Sequence, residues 1–202
     1  MKVTKKRLDR AFFSNPDVVE IAEALLGKII CTKIDGQYCE AMITETEAYA
    51  GTNDKACHAH MGRYTKRTAT MYEEGGTAYI YLCYGIHHLF NIVTNRHGNA
   101  DAVLIRAIEP IEGTDSMLKR RNAKILKPSL FSGPGKLTKA LGINKSFNAT
   151  DLVNSEEIFI VDGNKKINDI VKTTRIGIDY AGEDAFLPWR FYISGNKFIS
   201  QP

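Results

Sequence analysis

Glu45 and Glu47 stand two residues apart in T-E-T-E-A-Y-A-G-T-N-D-K-A-C-H-A-H, Thr44 to His60, with Tyr49 directly after them and His58 and His60 further on. On an extended strand that spacing puts both carboxylates on one face, about 7 Å apart at ~3.4 Å per residue. A carboxylate beside aromatic walls can take a proton from water and act as a general base. Metal chemistry is the rival, because His58 and His60 with Glu47 and Asp54 are ligand types that suit several divalent ions. No complete ligand motif accompanies them, and two exposed loop histidines are the plainer reading. Glu45 and Glu47 share the parity of Cys39, Ala41 and Ile43, the more apolar face of the segment. They therefore either mark a strand running out of the core into water or sit on that face in a pocket.

Aromatic and basic residues supply a second kind of chemistry. In T-A-Y-I-Y-L-C-Y-G, Tyr79 and Tyr81 share a face, while Tyr84 points the other way beside Gly85. Core packing accounts for aromatics inside a strand. A tyrosine at an exposed hairpin tip gains nothing from burial, and such a side chain can wedge between stacked bases. Arg63, Lys66, Arg67 and Arg106 are candidate phosphate contacts if the fold gathers them; singly, each is an ordinary surface charge. G-P-G-K-L-T-K-A-L-G-I, from Gly133, does not have the spacing of a nucleotide-binding loop, so an NTPase is excluded. It reads as a turn entering a helix whose first N–H groups could meet a phosphate.

The elements that must position these groups are legible in outline. S-N-P-D-V-V-E-I-A-E-A-L-L-G predicts a helix capped at Asn15, with Pro16 at its first position and Val18, Ile21, Ala22 and Leu25 on one face, ending at Gly27. Two alternating strands joined at Asp35-Gly36 follow, and the carboxylate pair lies at the end of the second. Residues 51–76 lose periodicity and form a long loop, of the kind that is either functional or disordered. A hairpin turning near Tyr84-Gly85 comes next, then a strand ending at Pro110. A charged helix over 113–126, with Met117 and Leu118 turned inward, precedes a short helix from Gly133. Strands in E-I-F-I-V, T-R-I-G-I-D-Y and W-R-F-Y-I-S complete the chain. This order predicts an α+β fold with a mainly antiparallel sheet.

The 202 residues, 44% hydrophobic and 25% charged, are enough for one globular domain spanning 1–202 with a real core. A net charge of +4 fits nucleic acid without requiring it. Cys31, Cys39, Cys57 and Cys83 form neither a Cys-x-x-Cys pair nor a disulfide framework. With Asp17 and Glu20 interrupting any secretory hydrophobic region, and no run long enough to span a bilayer, an intracellular location is expected.

Taken together and in order, L-L-G-K, E-T-E-A-Y with the downstream His58, Y-x-Y-x-x-Y-G, R-A-x-E-P, G-P-G-K-L-T-K-A-L-G-I and R-I-G-I-D-Y-A-G-E-D-A-F-L-P-W-R-F-Y-I-S-G resemble the alkyladenine (3-methyladenine) DNA glycosylase family over nearly the whole chain. The resemblance implies one mixed α+β domain around a curved antiparallel sheet, acting as a monomer on duplex DNA that contains damaged purines, with no metal or other cofactor. It implies that Glu47 activates the water that attacks the sugar C1′. Tyr49, His58 and Tyr81 become the walls around a flipped-out base, and Asn91 the residue that crowds the 2-amino group of guanine. Tyr84 becomes the side chain inserted into the duplex, and Arg106 a contact near the target nucleotide. Two other readings remain beside it: a metal-dependent hydrolase built on His58, His60 and Glu47, and a non-catalytic module that binds damaged DNA.

Overall fold

The structure, a computed structural model, describes residues 5–163 and 167–202. A one-turn helix α1 (Arg10–Phe13) leads into α2 (Val18–Ala24). The cap of α2 is Asp17, whose carboxylate accepts from the N–H groups of Val19 and Glu20; the expected cap, Asn15, instead accepts from the Asp17 N–H. Two adjacent residues compete for the cap, and the aspartate reaches both free donors at once, which leaves Pro16 ahead of the helix. Val18, Ile21, Ala22 and Leu25 are all buried, as their spacing requires.

Strands β1 (Ile29–Ile34) and β2 (Gln37–Ala50) form a hairpin whose turn residues Asp35 and Gly36 have φ of 53° and 70°, the left-handed pair that a two-residue turn demands. A second hairpin joins β3 (Ala78–Cys83) to β4 (His87–Thr94), with Tyr84 at φ 51° and Gly85 at φ 73° in its turn. Strand β5 (Asp101–Glu112) runs two residues past Pro110. A register shift there lets the ladder skip a residue where proline has no N–H to give. Helix α3 (Thr114–Arg120) is half the length the charge pattern predicts. It stops just before Asn122, whose φ of 52° is left-handed. Met117 is fully buried and Leu118 packs partly on the core, as expected. Helix α4 (Pro134–Leu141) and strands β6 (Ile158–Val161), β7 (Ile170–Thr173) and β8 (Arg190–Ile193) follow.

Among the described residues the eight strands belong to one antiparallel sheet in the order β3-β4-β5-β2-β1-β6, with β8 beside β2 and β7 beside β8. Strand β2 is its spine. One edge pairs with β5 over nearly its whole length, while the other pairs with β1 through residues 37–42 and with β8 through residues 45–47. Between Ile43 and Thr46 both β2 and β5 are irregular: Ile43 faces Ile108, Glu45 faces Ala107 and Thr46 faces Ile105. Such bulges bend a strand and re-aim its side chains. Ile43 and Ile108 lie in the main core, and three residues on so does Ile105, while the Thr46 hydroxyl donates to the carbonyl of Ala22 in α2. The alternation therefore changes phase across the bulge. Glu45 and Glu47 lie on the opposite face from Cys39, Ala41 and Ile43, which corrects the shared-face expectation.

The main core fills the helix-bearing face of the sheet, where Phe13, Ile21 and Leu25 meet Ile43, Ile105 and Phe191. On the other face, residues 51–76 wind through short 3₁₀ turns and cover β3, β4 and β5 with a second cluster that includes Cys57, Met71 and Tyr79. The long loop is thus a packed wall. The strand expected in T-R-I-G-I-D-Y is absent: β7 ends at Thr173, and Arg175 to Ile178 form a loop whose polar groups are drawn to β2. No helix among the described residues is long and apolar enough to cross a membrane.

Candidate active site

The bulge turns Glu45 and Glu47 into a fully buried polar layer. Burying two carboxylates is costly unless each is paired and hydrogen-bonded. Arg106, from β5, serves both: its Nε donates to Glu45 Oε1 at 3.0 Å, and its Nη1 lies 3.1 Å from Glu47 Oε1. Arg190, from β8, donates a further 3.0 Å bond to Glu45 Oε1. The C-terminal segment closes the layer, with the Ser200 N–H donating to Glu45 Oε2 at 2.5 Å and the Ser200 hydroxyl to Oε1 at 2.7 Å. Glu45 thereby accepts four hydrogen bonds, and acts as the clamp that holds Arg106.

Glu47 is bonded differently. Its Oε1 is ion-paired with Arg106 and accepts from the Ile176 N–H at 2.7 Å, while among the described residues its Oε2 accepts only from the Tyr49 hydroxyl at 2.8 Å. An ionised carboxylate offers about four acceptor positions, so one on Oε2 stays open. Burial, the Glu47 charge and the hydrogen bond to Glu47 all push the Tyr49 phenol well above its ordinary pKa, so it stays a donor. Burial lowers the pKa of Arg106, but the Glu47 and Glu45 carboxylates outweigh it and hold the guanidinium above its usual value. The Ile176 N–H is aimed by its neighbour. Arg175 makes a buried fork to Asp54, with bonds of 2.5 and 2.9 Å, and also donates to the carbonyl of Ala48 at 2.9 Å.

Over this layer opens a cleft of about 650 Å³, lined by Tyr49, His58, Tyr81, Asn91 and Arg106 among others. Its aromatic floor is continuous. His58 stands edge-on to Tyr81 with ring centroids 4.7 Å apart, and Tyr79 leans on Tyr81 at 5.4 Å. The Arg67 guanidinium lies 4.8 Å above the Tyr81 ring and contacts His58 Nε2 at 3.2 Å. Arginine can only donate, so His58 Nε2 accepts, and the imidazole proton is assigned to Nδ1, 3.0 Å from the Tyr79 hydroxyl. Burial first, then Arg67 and Arg63, lower the His58 pKa to about 4. The ring is neutral at pH 7. Asn91 donates to the Tyr79 carbonyl at 3.1 Å. Tyr84 stands 92% exposed at the hairpin tip on the rim of the cleft, close to Ile86, which is 71% exposed.

The eight site residues singled out from sequence thus converge on one cleft and the layer beneath it, although Arg106 is buried and ion-paired instead of being a surface charge. Arg63 and Lys66 are exposed and do not line the cleft. The metal reading loses its geometry: the His60 ring bonds the carbonyl of Thr52, Asp54 is spent on Arg175, and among the described residues no three His, Cys, Asp or Glu side chains cluster to hold an ion. Arg175, Ile176, Arg190 and Ser200 were not visible as site residues. The one hint was that two carboxylates pointing into a fold need buried cations, which does not say which of the 27 basic residues supply them.

Residues 11–197 match the family described as methylpurine-DNA glycosylase. A protein from Clostridium perfringens (strain 13 / Type A), named "Putative 3-methyladenine DNA glycosylase", is 45% identical over 204 residues, covering 96% of this chain and 99% of its own. Proteins of the same name from Clostridium botulinum (strain Alaska E43 / Type E3) and Borreliella afzelii (strain PKo) are each 45% identical, covering 96% of this chain and 98% and 100% of theirs.

Proposed function

The chain belongs to the methylpurine-DNA glycosylase family, and from that premise we propose that it frees alkylated or deaminated purines from duplex DNA, with Glu47 activating water for attack on C1′. The observation that carries this reading is the uneven bonding of Glu47. Two hydrogen bonds and the Arg106 ion pair fix the carboxylate, and Oε2 keeps a position in which to accept a proton from water. The sugar's developing oxocarbenium charge would also be stabilised by the carboxylate's negative charge.

A base in a duplex is out of reach, so it must leave the stack, at a cost of a few kcal/mol that is least for damaged or mispaired bases. Tyr49, His58 and Tyr81 offer faces and an edge to receive it, and a cationic alkylpurine gains roughly 0.5–2 kcal/mol of cation–π attraction there. Tyr84 would fill the vacated space in the duplex. Its 92% exposure at a tight turn supports that role, since burial gives it no other. Arg106, already shared between Glu45 and Glu47, would position the nucleotide and the base, and Asn91 would limit what enters the pocket floor.

With water as nucleophile, and no lysine amine forming a Schiff base, the product is free base and an intact abasic site. The test is incubation of duplex oligonucleotides carrying 3-methyladenine, 7-methylguanine, hypoxanthine or ethenoadenine, with EDTA present, followed by alkali. Strand cleavage only after alkali, with no adduct trapped by borohydride, is expected. Loss of release in EDTA with restoration by a divalent ion, or a trapped adduct, would overturn the mechanism. Binding of lesion DNA without any release would leave only a recognition module.

A further inference from the structure

Arg67 sits where the proposed base pocket needs to be empty. Its guanidinium lies over the Tyr81 ring and contacts His58 Nε2, which are a stacking face and an in-plane acceptor that a purine in the cleft would use. The residue is otherwise exposed, and among the described residues it takes part in no ion pair. Its charge is therefore uncompensated and directed at the pocket. Neighbouring cations fare differently: Arg106 and Arg190 are spent on Glu45, and Arg175 on Asp54.

Resting on the glycosylase reading above, we propose that Arg67 is a displaceable plug of the base pocket that biases the enzyme towards neutral damaged purines and against cationic ones. An entering ring takes the Tyr81 face and swings the guanidinium to the pocket edge. There it can donate to the acceptor edge of a neutral base such as hypoxanthine, and it repels a base that carries a formal positive charge. Aromatic stacking on Tyr81 favours cations, and Arg67 opposes that preference. The pocket's selectivity for charge is then a balance between the Tyr81 ring and a guanidinium that rests 4.8 Å above it before a base enters.

The test compares 7-methylguanine with hypoxanthine in one duplex context, by single-turnover excision and by equilibrium binding, for the wild type, Arg67→Gln and Arg67→Lys. Two unit charges ~5 Å apart at a solvated rim repel enough to change a rate or binding ratio by on the order of fivefold. The ratio of 7-methylguanine to hypoxanthine is expected to rise by about that factor in Arg67→Gln and to stay near the wild-type value in Arg67→Lys, which keeps the charge. The salt dependence of DNA binding is expected to be unchanged. An unaltered ratio in Arg67→Gln would overturn the proposal, as would a uniform loss for both lesions with a salt slope shallower by about one, the mark of a phosphate contact. If the wild type releases neither base, the glycosylase reading fails on that result. The binding ratio is still read in such a protein, and it decides on Arg67 separately.

Discussion

Replacing Glu45 by glutamine keeps its shape and removes one charge from a layer in which two carboxylates balance Arg106 and Arg190. Oε1 of Glu45 accepts from Arg106, Arg190 and the Ser200 hydroxyl, and Oε2 from the Ser200 N–H. The amide NH₂ cannot accept from any of them. Whichever way it is turned, it faces a donor, Arg106 is left with Glu47 as its carboxylate, and Arg190 loses the carboxylate with which it pairs. Breaking a buried pair in this way costs about 3–5 kcal/mol, because an uncompensated charge stays inside. For a chain of this size each kcal/mol moves the melting temperature by ~2–4 °C, so Glu45→Gln should melt roughly 6–20 °C below the wild type. Glu47 keeps its Tyr49 and Ile176 donors in this variant, so excision should persist when assayed well below the transition. Differential scanning fluorimetry with a low-temperature single-turnover assay reads both quantities. A melting temperature within about 2 °C of the wild type would refute the clamp role. So would a variant of unchanged stability that has lost excision, since Glu45 would then be acting in the chemistry.

His58 has a folded pKa of about 4 against an ordinary 6.5. Between those values the unfolded chain binds the extra proton, so stability falls as pH drops from about 6.5 to about 4, by about 3 kcal/mol in all, and the loss levels off below that. In urea midpoints at pH 7, 5 and 4 the stability of the wild type relative to His58→Gln should fall steadily, by about 3 kcal/mol from pH 7 to pH 4; parallel curves would contradict the neutral-ring assignment. Arg175→Lys keeps the charge but loses the fork to Asp54 and the bond to Ala48, and should lower stability by roughly 2–4 kcal/mol and slow excision through the Ile176 N–H; chemical denaturation with single-turnover rates checks both, and full activity would sever that link. Tyr84→Ala should weaken excision strongly from a well-paired lesion and less from a mispaired one while melting like the wild type; a uniform loss with a lowered melting temperature would make it a packing residue.

Which side chains meet at the cleft was easier to read than the geometry that brings them there. Residue types carried the carboxylate, the aromatic walls and the tip tyrosine, and turn signals such as Asp35-Gly36 carried the hairpins, because each depends on local conformational preference. The face on which Glu45 and Glu47 lie was misread. Period-two reasoning assumes an uninterrupted ladder, and paired irregularities in β2 and β5 shift its phase without any compositional mark. The α2 cap moved by two residues because Asn15 and Asp17 are both good caps and only the backbone path decides between them. T-R-I-G-I-D-Y alternates like a strand, yet Arg175 and the Ile176 N–H are committed to Asp54 and Glu47, more than 120 residues away in sequence. Arg190 and Ser200 lie 145 and 155 positions from Glu45, separations at which the amino-acid sequence alone carries no pairing signal.

Glu47→Gln, measured for both binding and excision on the same lesion duplex, bears most directly on the proposed chemistry. Glutamine can keep its oxygen on the Ile176 N–H and donate its amide to the Tyr49 hydroxyl oxygen but cannot take a proton from water, so the variant should bind lesion DNA within a few-fold of the wild type and excise it about 10²–10⁴ times more slowly in a single turnover. Excision at the wild-type rate, or a loss of excision that merely tracks a loss of binding, would contradict Glu47 as the base.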